Sequence, residues 1–149
     1  MAAKLYSNFP LNLGGGNVAG EQAMDLLSDT LKMTLRDAHT PTQTGDALLA
    51  DLPADESSAT GYSAGGYTLA SKTYATSSLV TTFDCADPTW TITAGTLATD
   101  TGITYDDTIA IAGQEDPLIA YDDFGSQSVA GAVFTYTVNA SGIFTITVS

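Results

Sequence analysis

Two stretches, Phe134-Thr135-Tyr136-Thr137-Val138 and Ile143-Phe144-Thr145-Ile146-Thr147-Val148, alternate an apolar residue with threonine almost without a break. Period-two alternation gives a strand one apolar and one polar face. A helix cannot use it, because a helix brings residues three and four apart onto one side. Threonine sharpens the reading, since its branched Cβ restricts χ1 and suits a pleated, half-exposed surface. Asn139-Ala140-Ser141-Gly142 has the length and composition of a hairpin turn. The two stretches are therefore expected to pair, with Phe134, Tyr136, Val138, Phe144, Ile146 and Val148 on the apolar faces.

The same logic predicts strands at Leu31–Arg36, Tyr67–Tyr74, Leu79–Cys85, Trp90–Thr93, Ile103–Ala112 and Leu118–Phe124. Helical spacing is confined to Glu21–Leu27, with Glu21 and Asp25 early, and to Asp46–Leu52, opened by Asp46 and stopped by Pro53. This order predicts an all-β (mainly antiparallel) β-sandwich, with a jelly roll among the topologies left open and one or two short helices near the N-terminus. With 149 residues and 44% hydrophobic content, one domain is expected. We place it at residues 21–149, behind an N-terminal arm at 1–20.

Gly14-Gly15-Gly16 supplies a hinge in that arm, because consecutive glycines lose the most backbone entropy on ordering. The stretch lacks the lysine and hydroxyl ending of a phosphate loop. Lys4, Leu5, Tyr6, Phe9, Leu11 and Leu13 are the candidate partner-binding anchors. Either the arm lies along a neighbouring subunit, ordering only on assembly, or it packs back onto its own domain.

Charge narrows the function. Four Lys+Arg face 17 Asp+Glu, a formal −13, and no cation follows Lys72. Nucleic-acid binding needs cations that displace counterions from phosphates, and an anionic membrane surface needs them too; both partners are excluded. The acidity keeps the chain soluble, or it meets a basic partner surface or binds cations. No segment reaches the roughly 18 apolar residues of a membrane span, and Met1–Tyr6 lacks the apolar run of a signal peptide, so synthesis in a cytoplasm is expected.

Groups that could carry chemistry are few. His39 is the only histidine, in a loop just past a strand, and reads as structural or solvated. Cys85 cannot form an internal disulfide and sits in an alternating run, so a buried thiol is expected. The pairs Asp106-Asp107, Glu115-Asp116 and Asp122-Asp123 should each split across the two faces of a strand. They read as solvated charges first and as a calcium site second. Paired-carboxylate glycosidase chemistry comes last. Tyr62 and Tyr67 among Gly61, Gly65 and Gly66 form either a recognition loop or a turn with an anchoring ring, and Trp90 is assigned to the core. Neither a cofactor nor a catalytic residue is implied.

Several stretches resemble a group of small virion proteins of tailed bacteriophages. They are Lys4-Leu5-Tyr6, Asp25–Leu35, Gly61–Leu69, Ala86-Asp87-Pro88-Thr89-Trp90, Tyr105-Asp106-Asp107-Thr108 and, most clearly, Pro117-Leu118-Ile119-Ala120-Tyr121-Asp122-Asp123-Phe124-Gly125. The resemblance implies a non-enzymatic structural protein on the capsid outer surface, of decoration (cement) type. Its implied partners are the major capsid protein and further copies of itself, as a trimer by analogy with local three-fold positions in capsid lattices. A tail, adaptor or head-fibre component is the alternative within that class. From another class, a calcium-dependent receptor- or carbohydrate-binding β module remains.

Overall fold

The computed structural model describes residues 3–14, 22–110 and 113–147. In chain order its strands are β1 (Lys4–Leu5), β2 (Leu31–Arg36), β3 (Tyr67–Thr68), β4 (Thr73–Ser77), β5 (Val80–Asp84), β6 (Thr89–Thr91), β7 (Thr96–Asp106), β8 (Leu118–Ala130), β9 (Val133–Thr135) and β10 (Phe144–Thr147). They form a five-stranded sheet in the order β1-β8-β7-β2-β3, a three-stranded sheet β10-β5-β4 and a pair β6-β9. The chain is all-β and its sheets are antiparallel, as the alternation predicts. One apolar cluster draws Leu31, Met33 and Leu35 of β2, Phe83 of β5, Trp90 of β6 and Phe144 of β10 together, so all three sheets share it. No helix among the described residues is long and apolar enough to cross a membrane.

β2 departs from its half-buried expectation, because both of its faces are covered. Leu31, Met33 and Leu35 enter the core, while Thr34 and Arg36 on the other face are buried as well. The Thr34 hydroxyl bonds to the Glu56 carboxylate at 3.0 Å, and Arg36 donates to the Pro53 carbonyl at 2.9 Å. Residues 53–62 thus roof the polar face with hydrogen-bond partners, which is what makes its burial tolerable.

The expected hairpin at 132–148 does not form. A turn is present, with Gly142 N donating to Asn139 O at 2.7 Å, but it joins strands of different sheets. β9 pairs with β6, setting Phe134 opposite Trp90, and β10 pairs with β5, setting Phe144 opposite Phe83. Alternation still sorts the faces: Tyr136 and Phe144 are buried, Thr135 and Thr145 exposed, and Val148 lies outside the described residues. What alternation leaves open is the partner, decided by rings such as Phe83, stacked 5.4 Å from Phe144.

Helical expectations are corrected too. Residues 25–29 form a turn closed by Asp25, whose Oδ1 accepts from Leu27 N at 3.0 Å and Ser28 N at 3.1 Å; Glu21 lies outside the described residues. Within 46–52 only a 3-10 turn forms, at Leu49–Asp51, and Asp51 rather than Asp46 caps it, accepting from Ala47 N and Leu48 N. Asp and its neighbours satisfy local backbone groups more cheaply in turns than in helices this short. The one α-helix among the described residues, α1 (Phe9–Leu13), lies inside the expected arm, with Pro10 in the first turn where no N–H is needed.

Residues 3–14 are likewise integrated rather than free. Lys4 and Leu5 pair with Tyr121 and Ala120 of β8, and Tyr6 and Phe9 are buried. Phe9 packs edge-on against Phe144 at 5.1 Å. An arm leaving its rings in water would forfeit roughly 2–3 kcal/mol for each, so the segment returns to its own core. Of the expected hinge, Gly15 and Gly16 lie outside the described residues.

Candidate functional site

β1 runs along the first half of β8 and forms one rim of the five-stranded sheet. The two stretches that pair there, Lys4–Tyr6 and Pro117–Gly125, are far apart in the sequence. Beside them opens a cleft of about 430 Å³, walled by Lys4, Pro41, Tyr121, Asp122, Asp123 and Phe124. Alternation along β8 divides the acids: Asp122 turns inward and accepts from the Tyr136 hydroxyl at 2.9 Å, while Asp123 is exposed. Burial and the Asp122 carboxylate raise the Tyr136 phenol well above its usual range, so it keeps its proton and the bond. Asp123 Oδ1 accepts from Gly125 N at 3.1 Å, and Gly125 adopts φ +76°.

Tyr121 supplies the aromatic wall. Its ring packs against Tyr6 at 5.2 Å, and the Lys4 ammonium lies 5.9 Å from the ring centroid. An exposed carboxylate beside an aromatic face is suited to an ammonium or guanidinium group, through charge-assisted hydrogen bonds and cation–π attraction. Lys4 demonstrates the second contact within the chain.

The remaining cations are engaged elsewhere. Lys32 pairs with Asp107 at 2.8 Å, Arg36 with Asp55 at 3.2 Å, and Lys72 donates to the Asp29 carbonyl. His39 is buried, with Nδ1 2.6 Å from Asp55 Oδ2, so it and Arg36 clamp one carboxylate in a structural role. The field presented to solvent is therefore anionic nearly throughout.

Each acidic pair splits in exposure; Asp106 and Asp122 are buried rather than solvated, while Asp116 is half-buried. Asp106 is fully buried, its Oδ1 accepting from Thr108 N at 2.8 Å and its Oδ2 without a partner. Burial, then the nearby Asp29 carboxylate, push its carboxyl up to about 7. Asp107 and Glu115 stay at the surface. Among the described residues no three His, Cys, Asp or Glu side chains converge on a point that could hold a metal ion.

Sequence reading missed Glu56, whose Oε1 accepts from the Thr34 hydroxyl, from Tyr62 OH at 2.8 Å and from Gly65 N at 2.7 Å. No local pattern marks it, because its partners come from a strand and a glycine turn. Tyr62 is accordingly the anchoring ring of that turn, stacked 6.3 Å from the buried Trp90. Cys85 is buried, and burial with Asp84 and Asp87 nearby pushes its thiol up to about 12, far from thiolate reactivity. Of the six expected anchors, Lys4 lines the cleft, Leu5 and Leu13 are half-buried, and Tyr6 and Phe9 are inaccessible. Leu11 alone among them is a large exposed apolar side chain.

No known protein family, curated protein or solved structure matches this chain.

Proposed function

We propose that this chain is a non-enzymatic structural protein of a bacteriophage virion, of capsid decoration type, sitting on the outer shell and bridging major capsid subunits. The observation that carries the reading is the cleft. The N-terminal stretch and the most distinctive stretch of the resemblance pair with each other, and together they frame a cleft in which Asp123 is exposed and Phe124 half-exposed. Lys32 and Arg36 are engaged by the chain's own acids and Lys4 lies over the Tyr121 ring, so a basic side chain on the partner is the complement the exposed Asp123 favours.

The net charge supports the outer side of the shell. A −13 protein facing packaged nucleic acid would meet a dense field of its own sign, whereas salted solvent screens charge within roughly 8–10 Å. Decoration also asks for a rigid body, and the sheets, bound through shared aromatic packing, provide one.

The test is reconstitution. Shells of the phage that carries this protein, assembled without it, are mixed with the purified chain and imaged. The expected result is saturable binding in proportion to the capsid subunits, weakened by Asp123→Asn and by added salt. The substituted amide keeps an oxygen that can accept from Gly125 N, so folding is preserved while the charge is lost. Binding confined to a single vertex, or no binding at low salt, would overturn the proposal.

A further inference from the structure

The three-stranded sheet ends on β4, and among the described residues no strand pairs with its far side. Thr73, Ala75, Thr76 and Ser77 are exposed and Tyr74 is half-buried. Soluble proteins blunt such edges with charge, proline, a bulge or extreme shortness. β4 has none of these. Its five residues are uncharged, and its register against β5 runs unbroken from Thr73↔Asp84 to Ser77↔Val80. The edges of the five-stranded sheet are protected by contrast, since β1 and β3 are two residues each and β1 carries Lys4.

Geometry sets which groups are free. Ser78 and Leu79 form a two-residue connection, so Ser77 and Val80 close the hairpin as a hydrogen-bonded pair. Alternation then turns the N–H and C=O of Tyr74 and Thr76 outward. Beside Tyr74 opens a mainly apolar cleft of about 490 Å³ walled by Leu13, Met24, Leu26 and Leu27, with Asp25 also on its wall, and Leu27 is half exposed. On the solvent face of the sheet Ala75, Ser77, Val80, Thr82, Thr145 and Thr147 are uncharged, and Asp84, opposite Thr73, is the charge at the end away from the hairpin turn. On a −13 chain the strip along β4 itself is neutral.

We infer that β4 pairs antiparallel with β4 of a second copy of this chain about a two-fold axis at Ala75, merging two three-stranded sheets into one. In that register Tyr74 stands opposite Thr76 of the second copy, and the outward groups of both residues match reciprocally. A contact on a two-fold must be self-complementary, and a short uncharged strand with two outward donors and two outward acceptors meets that condition. A basic partner would be drawn to the acidic surface elsewhere, whereas two like-charged copies meet with least repulsion along an uncharged strand. Screening that repulsion must strengthen the pairing, so salt acts here with the sign opposite to that expected for the acidic cleft. The inference stands whether or not the virion proposal does, and it makes the unit in solution a dimer rather than the trimer expected by analogy with capsid lattices.

Sedimentation velocity of the full chain, over a range of concentrations at low and high salt, tests it. The expected result is a monomer–dimer equilibrium that shifts toward dimer as salt rises. Thr76→Lys places a charge on the edge and should raise the dissociation constant at least about tenfold, with an unchanged melting temperature showing that the fold survives. Should that variant fail to fold, hydrogen exchange on the wild-type chain decides, because the Tyr74 and Thr76 amides must gain protection as concentration increases. A monomer under all conditions, a dimer indifferent to Thr76→Lys, or amides at 74 and 76 that exchange freely in the dimer would each overturn the inference.

Discussion

Asp106 makes the stability of this protein depend on pH in a direction unusual for a carboxylate. Its side chain is fully buried at the end of β7, and Asp29 beside it is 8% exposed, accepting from Asp25 N at 2.6 Å. Lys72 contacts the Asp29 carbonyl rather than either carboxylate, and Lys32 is occupied by Asp107. No cation therefore compensates the pair. In the unfolded chain Asp106 titrates near the ordinary 3.8; in the folded chain burial and Asp29 push it up to about 7. Between those values the folded protein holds a proton that the unfolded chain has lost, so stability falls as pH rises from about 4 to about 7 and levels off beyond. At roughly 1.4 kcal/mol per pH unit the loss is on the order of 4 kcal/mol at most. For a chain of this length that corresponds to a drop of roughly 10 °C in Tm. Thermal melts at pH 5, 6, 7 and 8 on the wild type and on Asp106→Asn measure it. The asparagine variant, which can donate to Asp29 and does not titrate, should melt above the wild type at pH 8 and show a flatter profile. General charge repulsion also eases on acidification, but salt screens it and both proteins share it, so the difference between profiles isolates the buried pair. Wild-type and variant profiles of equal slope would refute the reasoning.

Three further outcomes are expected. Phe144→Ala empties the space between Phe9 and Phe83 and should cost about 3–5 kcal/mol in denaturant titration, while Thr145→Ser on the exposed face should cost little. Gly66→Ala should destabilise far more than Gly95→Ala: both have positive φ, but a Cβ at Gly66 would lie 2.0 Å from the Met33 carbonyl oxygen, whereas nothing lies within 4 Å at Gly95. His39→Ala removes one of the two partners of the half-buried Asp55 carboxylate and should lower stability by roughly 1–3 kcal/mol in the same titration; an unchanged midpoint would mean the ring contributes nothing to the Asp55 clamp.

Much of the local structure was readable residue by residue. Thr135 and Thr145 outside, Tyr136 and Phe144 inside, the strand at Leu31–Arg36, the buried Cys85 and the core position of Trp90 all follow from alternation and side-chain chemistry. The splitting of Asp106 from Asp107 and of Asp122 from Asp123 across their strands does too. The cleft was legible only in part. Its acids and Lys4 stood out in the sequence, but nothing there shows that Lys4 lies against Tyr121.

Tertiary structure alone decided who pairs with whom. The turn at 139–142 has the composition of a hairpin, yet β10 joins β5 and β9 joins β6. It likewise decided that residues 3–14 belong to the core, that Asp106 meets Asp29 without a counter-ion, and that Glu56 gathers Thr34, Tyr62 and Gly65. The division has one physical cause. Which way a side chain points is a property of the backbone at that residue, set by the direction of Cα–Cβ, and it repeats along the chain. Which surface it meets, and how much water it loses there, depends on the packing of segments brought together only by the fold, and no periodicity records that choice.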